Sequence, residues 1–243
     1  MELSVVIPAH NEAENVGPLV REIVAVLGSG GSGGGGQGAD YEIVVVDDGS
    51  TDATRERLAE LARTTPCLRV ERHPRSRGQS FAIATGVHAA RGAWIVTLDG
   101  DGQNDPADIP KLVAVRAKEQ AAGGGPLLIA GYRKKRRDTW LKRASSRVAN
   151  AVRGRMLGDR TADTGCGLKL FERDAFLALP HFDHMHRFLP ALFLRAGGRV
   201  VSVEVSHRPR ARGASHYGML DRLFVGVVDL FGVWWLIRRK ERK

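Results

Sequence analysis

Apolar positions along the chain alternate between short solid runs and stretches spaced for one face of a helix. Leu3 to Ile7 is a solid run closed by Pro8, which reads as a buried parallel strand. Val16, Leu19, Val20, Ile23, Val24 and Leu27 follow at helical spacing, with Pro18 tolerated in the first turn. Ile43 to Asp47 is a second strand. Asp52 is placed to cap the next helix, which turns Leu58, Leu61 and Ala62 inward. A weaker strand over Leu68 to Glu71, a helix over Gln79 to Arg91 and a strand over Trp94 to Leu98 complete the first half.

Beyond residue 105, Asp105-Pro106 caps a helix through Ile109, Leu112 and Val113, and Gly123-Gly124-Gly125-Pro126 breaks it. Leu127 to Ala130 reads as a strand, Lys134 to Arg160 as very basic and helical, and Val200 to Val205 as the last strand. Alternating strands and helices predict an α/β fold: a mostly parallel central sheet covered by helices on both faces. The expected layout is one domain over 1–219 followed by an amphipathic, basic tail over 220–243, where Phe224, Phe231, Trp234 and Trp235 precede a cationic end. An ordinary core-docked helix would explain that tail as well. Gly28 to Gly38 reads as a flexible surface loop.

Charge and cysteine usage narrow the picture. Lys and Arg number 37 against 27 Asp and Glu, a formal net charge of +10. That balance implies an anionic partner without choosing among nucleic acid, lipid headgroup and phosphorylated substrate. Cys67 and Cys166 match no zinc or redox spacing and read as reduced thiols, which suits the cytoplasm. No secretory signal is expected at the start, and no apolar run reaches the ~20 residues of a membrane-spanning helix.

Three strand ends carry polar clusters: Pro8-Ala9-His10-Asn11-Glu12, Asp47-Asp48-Gly49-Ser50-Thr51-Asp52, and Asp99-Gly100-Asp101-Gly102-Gln103. Ligands of open α/β sheets bind at such ends. One acidic turn is often only a helix cap, but three on successive strand ends point to a site. Asp99 and Asp101, separated by one glycine, can hold a hard divalent cation that bridges phosphate oxygens. There is no Gly-x-x-x-x-Gly-Lys-Ser/Thr loop and no Gly-x-Gly-x-x-Gly after the first strand, which excludes a P-loop nucleotidase and argues against a dinucleotide dehydrogenase.

Together the three segments Val5 to Glu12, Val45 to Asp52 and Leu98 to Gln103 resemble the signature motifs of family 2 glycosyltransferases with the GT-A fold. Gly131-Tyr132-Arg133, Ser146-Arg147 with Asn150, and Asp163 to Phe171 resemble the dolichol-phosphate mannosyltransferase branch and its bacterial polyprenyl-phosphate relatives. His207 to Gly218 resembles that branch's closing loop. The resemblance implies a donor half over about 1–104 and an acceptor half over about 105–219. It implies donor contacts from Pro8, Ala9, His10, Glu12, Val46, Asp47, Asp48, Gly100, Asp101, Arg210 and His216, the last standing where relatives often carry Lys. A Mg2+ or Mn2+ site of Asp99, Asp101 and Gln103 is implied too. Asp99, Asp101, Arg133 and Arg147 would be the catalytic set.

The implied reaction moves a hexose, from GDP-mannose or UDP-glucose, to a polyprenyl or dolichyl phosphate with inversion. The enzyme would sit peripherally on the cytoplasmic face of the membrane, with no nucleic acid partner. A phosphate acceptor is already anionic and needs no general base, only cations to hold it. Arg133 and Arg147 suit that role. His181 to Phe188 offers one carboxylate, Asp183, where many relatives place an acidic base motif. An alternative is therefore transfer to a saccharide hydroxyl with Asp183 as base. A third reading is a non-catalytic basic module that binds lipid or nucleic acid. Cys166, between two glycines, reads as a small buried filler rather than a nucleophile.

Overall fold

In the computed structural model, residues 1–28, 41–133, 153–159, 161, 163–209 and 219–239 are described. Among the described residues seven strands, β1 (Leu3–Ala9), β2 (Tyr41–Asp47), β3 (Leu68–Arg72), β4 (Trp94–Thr97), β5 (Leu127–Arg133), β6 (Lys169–Glu172) and β7 (Arg199–Val205), form one sheet. The order across it is β3-β2-β1-β4-β6-β5-β7. Strands β1 to β4 run parallel, and β5 is parallel to β7. Only β6 is antiparallel, to both β4 and β5. The expected mostly parallel α/β sheet is thus present.

Strand β6 was not anticipated. It is only four residues long and carries Lys169 and Glu172, so it lacks the solid apolar run that announces a buried strand. Strand β5 runs three residues past Ala130 because Gly131, Tyr132 and Arg133 pair with Val203, Glu204 and Val205.

Successive residues of a strand point to opposite faces, so each strand feeds two cores. Val5, Ile7, Ile43, Val45, Val96 and Ile129 face one side, under helices α1 (Val16–Gly28), α2 (Thr54–Thr64) and α4 (Ile109–Ala121). Val6, Val44, Ile95, Leu128 and Phe171 face the other, under α3 (Gln79–Ala89), α5 (Arg173–Leu177) and α6 (Leu189–Arg195). Helix α3 lies close on β1 because Gly86 has no side chain: a Cβ there would stand 2.4 Å from Val6 Cγ1.

Helix α7 (Met219–Arg238) buries Val233 in the second core and packs Leu230, Trp234 and Ile237 against it. Its other side leaves Val227, Val228, Phe231 and Trp235 exposed. The tail therefore both docks and presents an apolar face. Among the described residues no helix is long and apolar enough to cross a membrane. In the basic stretch, residues 153–157 are helical. Arg147, Arg210 and His216 lie outside the described residues, as does most of Gly28 to Gly38.

Candidate active site

Because β2, β1 and β4 are adjacent and parallel, their C-terminal ends lie side by side. The three polar clusters therefore meet on one edge of the sheet. The loops after β1 and β2 are stitched to each other. Asp48 N donates to Ala9 O at 2.8 Å, and His10 Nδ1 lies 2.8 Å from Asp48 O. Asn11, in the left-handed region at φ 56°, accepts from Thr51 N at 2.8 Å, and its own N–H donates to Ser50 Oγ. Glu12 N donates to Thr54 Oγ1, and Ala13 N to Asp52 Oδ2. Asp52 is not the helix cap expected: Ala53 holds the N-cap position, and Asp52 braces Thr54 and the β1 loop instead. Asp105 does cap as expected, but over a short 3-10 turn, Pro106–Asp108.

The acidic pair of the second cluster divides its labour. Asp47 Oδ1 accepts from Ser50 N at 2.9 Å. Its buried Oδ2 has no hydrogen-bond partner among the described residues and faces Arg72 Nε at 3.4 Å. Asp48 is committed elsewhere. Its carboxylate accepts from His73 Nδ1 at 2.6 Å, Ser76 Oγ at 2.8 Å, Arg77 N at 2.9 Å and Gly78 N at 2.9 Å. Burial alone would raise the Asp48 pKa; these hydrogen bonds outweigh it and hold the carboxyl below its usual range. Asp48 thus builds the loop that leads into α3. Val46 is fully buried, and its Cγ2 stands 3.2 Å from where a Gly86 Cβ would lie. Pro8 and Ala9 contribute backbone: Pro8 O approaches Gly100, whose missing side chain permits the contact.

Asp99 is half-buried at the centre. Its N–H donates to Asn104 Oδ1 at 3.1 Å, and its Oδ1 accepts from Gln79 Nε2 at 2.7 Å. Burial and the neighbouring Asp101 push its pKa up to about 6. Asp101 Oδ1 accepts from Gln103 N, which closes the turn. A carboxylate whose charging is opposed by a second carboxylate two residues away marks a site where an added cation relieves the repulsion. Gly167 presses on Asp99: a Cβ there would lie 2.3 Å from Asp99 Oδ2. Thr97 Oγ1 fixes Gly167 by donating to its carbonyl at 2.7 Å.

Cations face the carboxylates from β5 and β6. Arg133 is clamped on Asp163 by two bonds, Nε to Oδ2 at 2.6 Å and Nη2 to Oδ1 at 3.0 Å. Burial works against the Arg133 cation, and Asp163 more than offsets it, so its pKa rises. Lys169 is buried and donates to Cys166 O and Thr164 O. Burial lowers the Lys169 pKa, against the pull of Asp99 and Asp163. Cys166 is fully buried with a raised thiol pKa, the inert filler expected.

Sequence reading assigned no role to Lys169, Gln79 or Arg72. A lone lysine inside the run Leu168 to Phe171 was the available signal, because buried lysines are rare without a partner. Asp183, the candidate base, is exposed, lies beside Gly78, and accepts from the N–H of His184 at 2.8 Å.

The sheet order and the acidic strand ends define a GT-A nucleotide-sugar transferase architecture. The glycosyl transferase family 2 model matches residues 4–179, and the chain belongs to that family. It is 36% identical over 246 residues to a dodecaprenyl-phosphate galacturonate synthase of Rhizobium johnstonii, covering 100% of this chain and 69% of that protein. It is 34% identical over 220 residues to an undecaprenyl-phosphate 4-deoxy-4-formamido-L-arabinose transferase of Edwardsiella ictaluri, covering 90% of this chain and 63% of that one. The chain thus spans about two thirds of these relatives' length. Among solved structures, glucosyl-3-phosphoglycerate synthase of Mycobacterium tuberculosis with Mg2+ and uridine diphosphate superposes with a TM-score of 0.67 at 22% identity. That match covers 97% of this chain and 79% of the other, and it shows the shared fold.

Proposed function

We propose that this protein transfers a sugar from a nucleoside-diphosphate sugar to a polyprenyl phosphate at the cytoplasmic membrane face. The observation that carries the reading is the opposition at the strand ends. Asp99 and Asp101 sit on one side, and the half-buried Arg133 and buried Lys169 on the other. The relatives' names, two prenyl-phosphate sugar transferases, support the acceptor. Their sugars, galacturonate and a formamido-arabinose, add to the mannose and glucose that the motifs imply, so the donor panel must include all four.

Asp99, Asp101 and Gln103 would hold Mg2+ or Mn2+. The mutual repulsion of the two carboxylates and the backbone-held turn at Gln103 fit a hard cation. Such an ion supplies charge neutralisation to a diphosphate leaving group. The chain's own residues do the rest. Asp47, the β1 loop and Arg72 flank the nucleoside end. Arg133, rigid on Asp163, presents its remaining N–H groups to an anionic oxygen. Outside the described residues, Arg147 would join it at the acceptor phosphate, and Arg210 and His216 would close on the donor. The acceptor oxygen attacks the anomeric carbon as the diphosphate departs, with inversion. No residue need remove a proton.

The test uses prenyl phosphate in vesicles and radiolabelled GDP-mannose, UDP-glucose, UDP-galacturonate and a UDP-formamido-arabinose. Label should enter the organic phase from one donor and vanish in Asp101→Ala. Label found only in a soluble glycan refutes the phosphate acceptor and moves Asp183 to the centre.

A further inference from the structure

Helix α7 carries features that the proposed reaction leaves unused. At 3.6 residues per turn, Val227, Phe231, Trp235 and Val228 share an arc of about 100°. All four are exposed, at 45%, 57%, 54% and 54%. Arg238 and Arg239 border the end of that stripe, stacked on Trp234 and Trp235 at 4.0 and 4.9 Å. An apolar stripe edged by cations is complementary to an anionic lipid surface.

The docked side of the same helix carries Asp229, whose side chain is only 19% exposed. Its Oδ2 accepts from His184 Nδ1 at 2.9 Å. His184 is held at φ 61°, a left-handed conformation that costs a non-glycine residue energy and needs outside support. Its Nε2 stands 3.6 Å from Asp183 Oδ2. Met185 is anchored in the core. His186 Nδ1 then meets Ser80 Oγ at 2.7 Å. Burial and the charge of Lys169 keep His186 well below its usual pKa, so the ring is neutral. Gln79, beside Ser80, is the residue that donates to Asp99. A continuous chain of contacts thus runs from helix α7 to the central carboxylate.

We propose that Asp229 and His184 form a latch through which seating of α7 on an anionic lipid surface sets residues 183–187, making both positioning residues for transfer. The proposal rests on the reading that the acceptor is a lipid-borne phosphate. With α7 seated, Asp229 holds His184 in its strained turn, and His186 supports the Ser80-Gln79 end of α3 against Asp99. With Asp229 withdrawn, the strain at His184 favours release of the turn.

The experiment follows amide hydrogen exchange of residues 183–187 in the full chain. It compares vesicles of phosphatidylglycerol and phosphatidylcholine with vesicles of phosphatidylcholine alone. Vesicle sedimentation and transfer kinetics to undecaprenyl phosphate are measured alongside. Asp229→Ala removes the latch. His184→Gly removes it too, while relieving the left-handed turn, because glycine accepts positive φ. Asp229→Asn keeps an oxygen acceptor and should rescue. In the wild type, anionic vesicles slow exchange about tenfold or more. Asp229→Ala and His184→Gly sediment normally, lose the slowing, and lose about tenfold in kcat with donor KM unchanged. Equal slowing in Asp229→Ala, or none in the wild type, overturns the latch. Slowing that depends on Asp229 without sugar transfer to lipid supports the latch and overturns the acceptor assignment.

Discussion

Gly167→Ala tests whether the carboxylate position, rather than its presence, sets the rate. A Cβ at residue 167 would lie 2.3, 2.4 and 2.5 Å from Asp99 Oδ2, Cγ and Oδ1. Ordinary van der Waals contact is 3.4–4 Å, so the whole carboxyl must retreat by about 1 Å. Gly167 cannot yield in its place, because its carbonyl is tied to Thr97 and β6 begins two residues later. The retreat stretches the 2.7 Å bond from Gln79 and changes the spacing from Asp101. A displacement of about 1 Å at a reacting centre costs on the order of 100-fold in rate. Asp99 is half-buried rather than locked in the core, so the stability cost should stay within about 1–3 kcal/mol. The assay is kcat/KM for sugar transfer, with Mn2+ binding followed by electron paramagnetic resonance and a thermal melt. The expected pattern is a fall of about 100-fold in kcat/KM, weaker Mn2+ binding and a retained cooperative melt. A variant with wild-type rate and Mn2+ affinity would refute the reasoning.

Four further outcomes follow from the same geometry. Asp48→Ala strips the acceptor from His73, Ser76, Arg77 and Gly78, and should cost about 3 kcal/mol or more in urea unfolding. The pH dependence has a defined sign: the folded pKa of Asp48 is depressed, so its stabilisation is complete above the unfolded value of about 3.9. It is lost as pH falls through the lower folded value, and stability curves of Asp48→Asn should show a shallower acid limb. Asp183→Asn should keep kcat within about tenfold if the acceptor is a phosphate, whereas removing a general base costs about 10²–10⁴-fold. Gly232→Ala, where a Cβ meets nothing within 4 Å, should stabilise the protein by about 0.5–1 kcal/mol in thermal unfolding.

The parallel half of the sheet was legible because β1, β2 and β4 are solid apolar runs, each closed by a polar cluster. Their adjacency follows from right-handed crossover connections through α1, α2 and α3. The second half was less legible for a physical reason. A strand flanked on both sides by antiparallel partners draws its stability from the ladder, and β6 needs no apolar signature of its own. The acidic clusters were visible as candidates, but sequence does not distinguish a carboxylate aimed at a ligand from one that braces a loop. Asp47 and Asp48 are neighbours on one strand end, yet only contacts with the distant His73, Ser76, Arg77 and Gly78 assign Asp48 to the scaffold. The tail read equally as interfacial or core-docked because it does the second with Val233 while leaving Val228 and Phe231 exposed.

The charge balance joins these observations. The chain carries a net +10, yet the centre of the strand-end site is not cationic. Asp99, Asp101 and Asp163 stand against two cations, Arg133 and Lys169, which leaves the described centre one positive charge short of neutral. Burial magnifies that imbalance, as the Asp99 pKa of about 6 records. A divalent cation would turn the shortfall into a single excess positive charge, which the two negative charges of a donor diphosphate would more than offset. Metal and donor thereby become mutually dependent for charge reasons alone. In the sequence, many of the surplus basic residues fall in 134–160 and in the last six positions, apart from the acidic clusters. Bulk charge by itself hides that local deficit. It appears only once the fold gathers the acidic strand ends around Arg133 and Lys169.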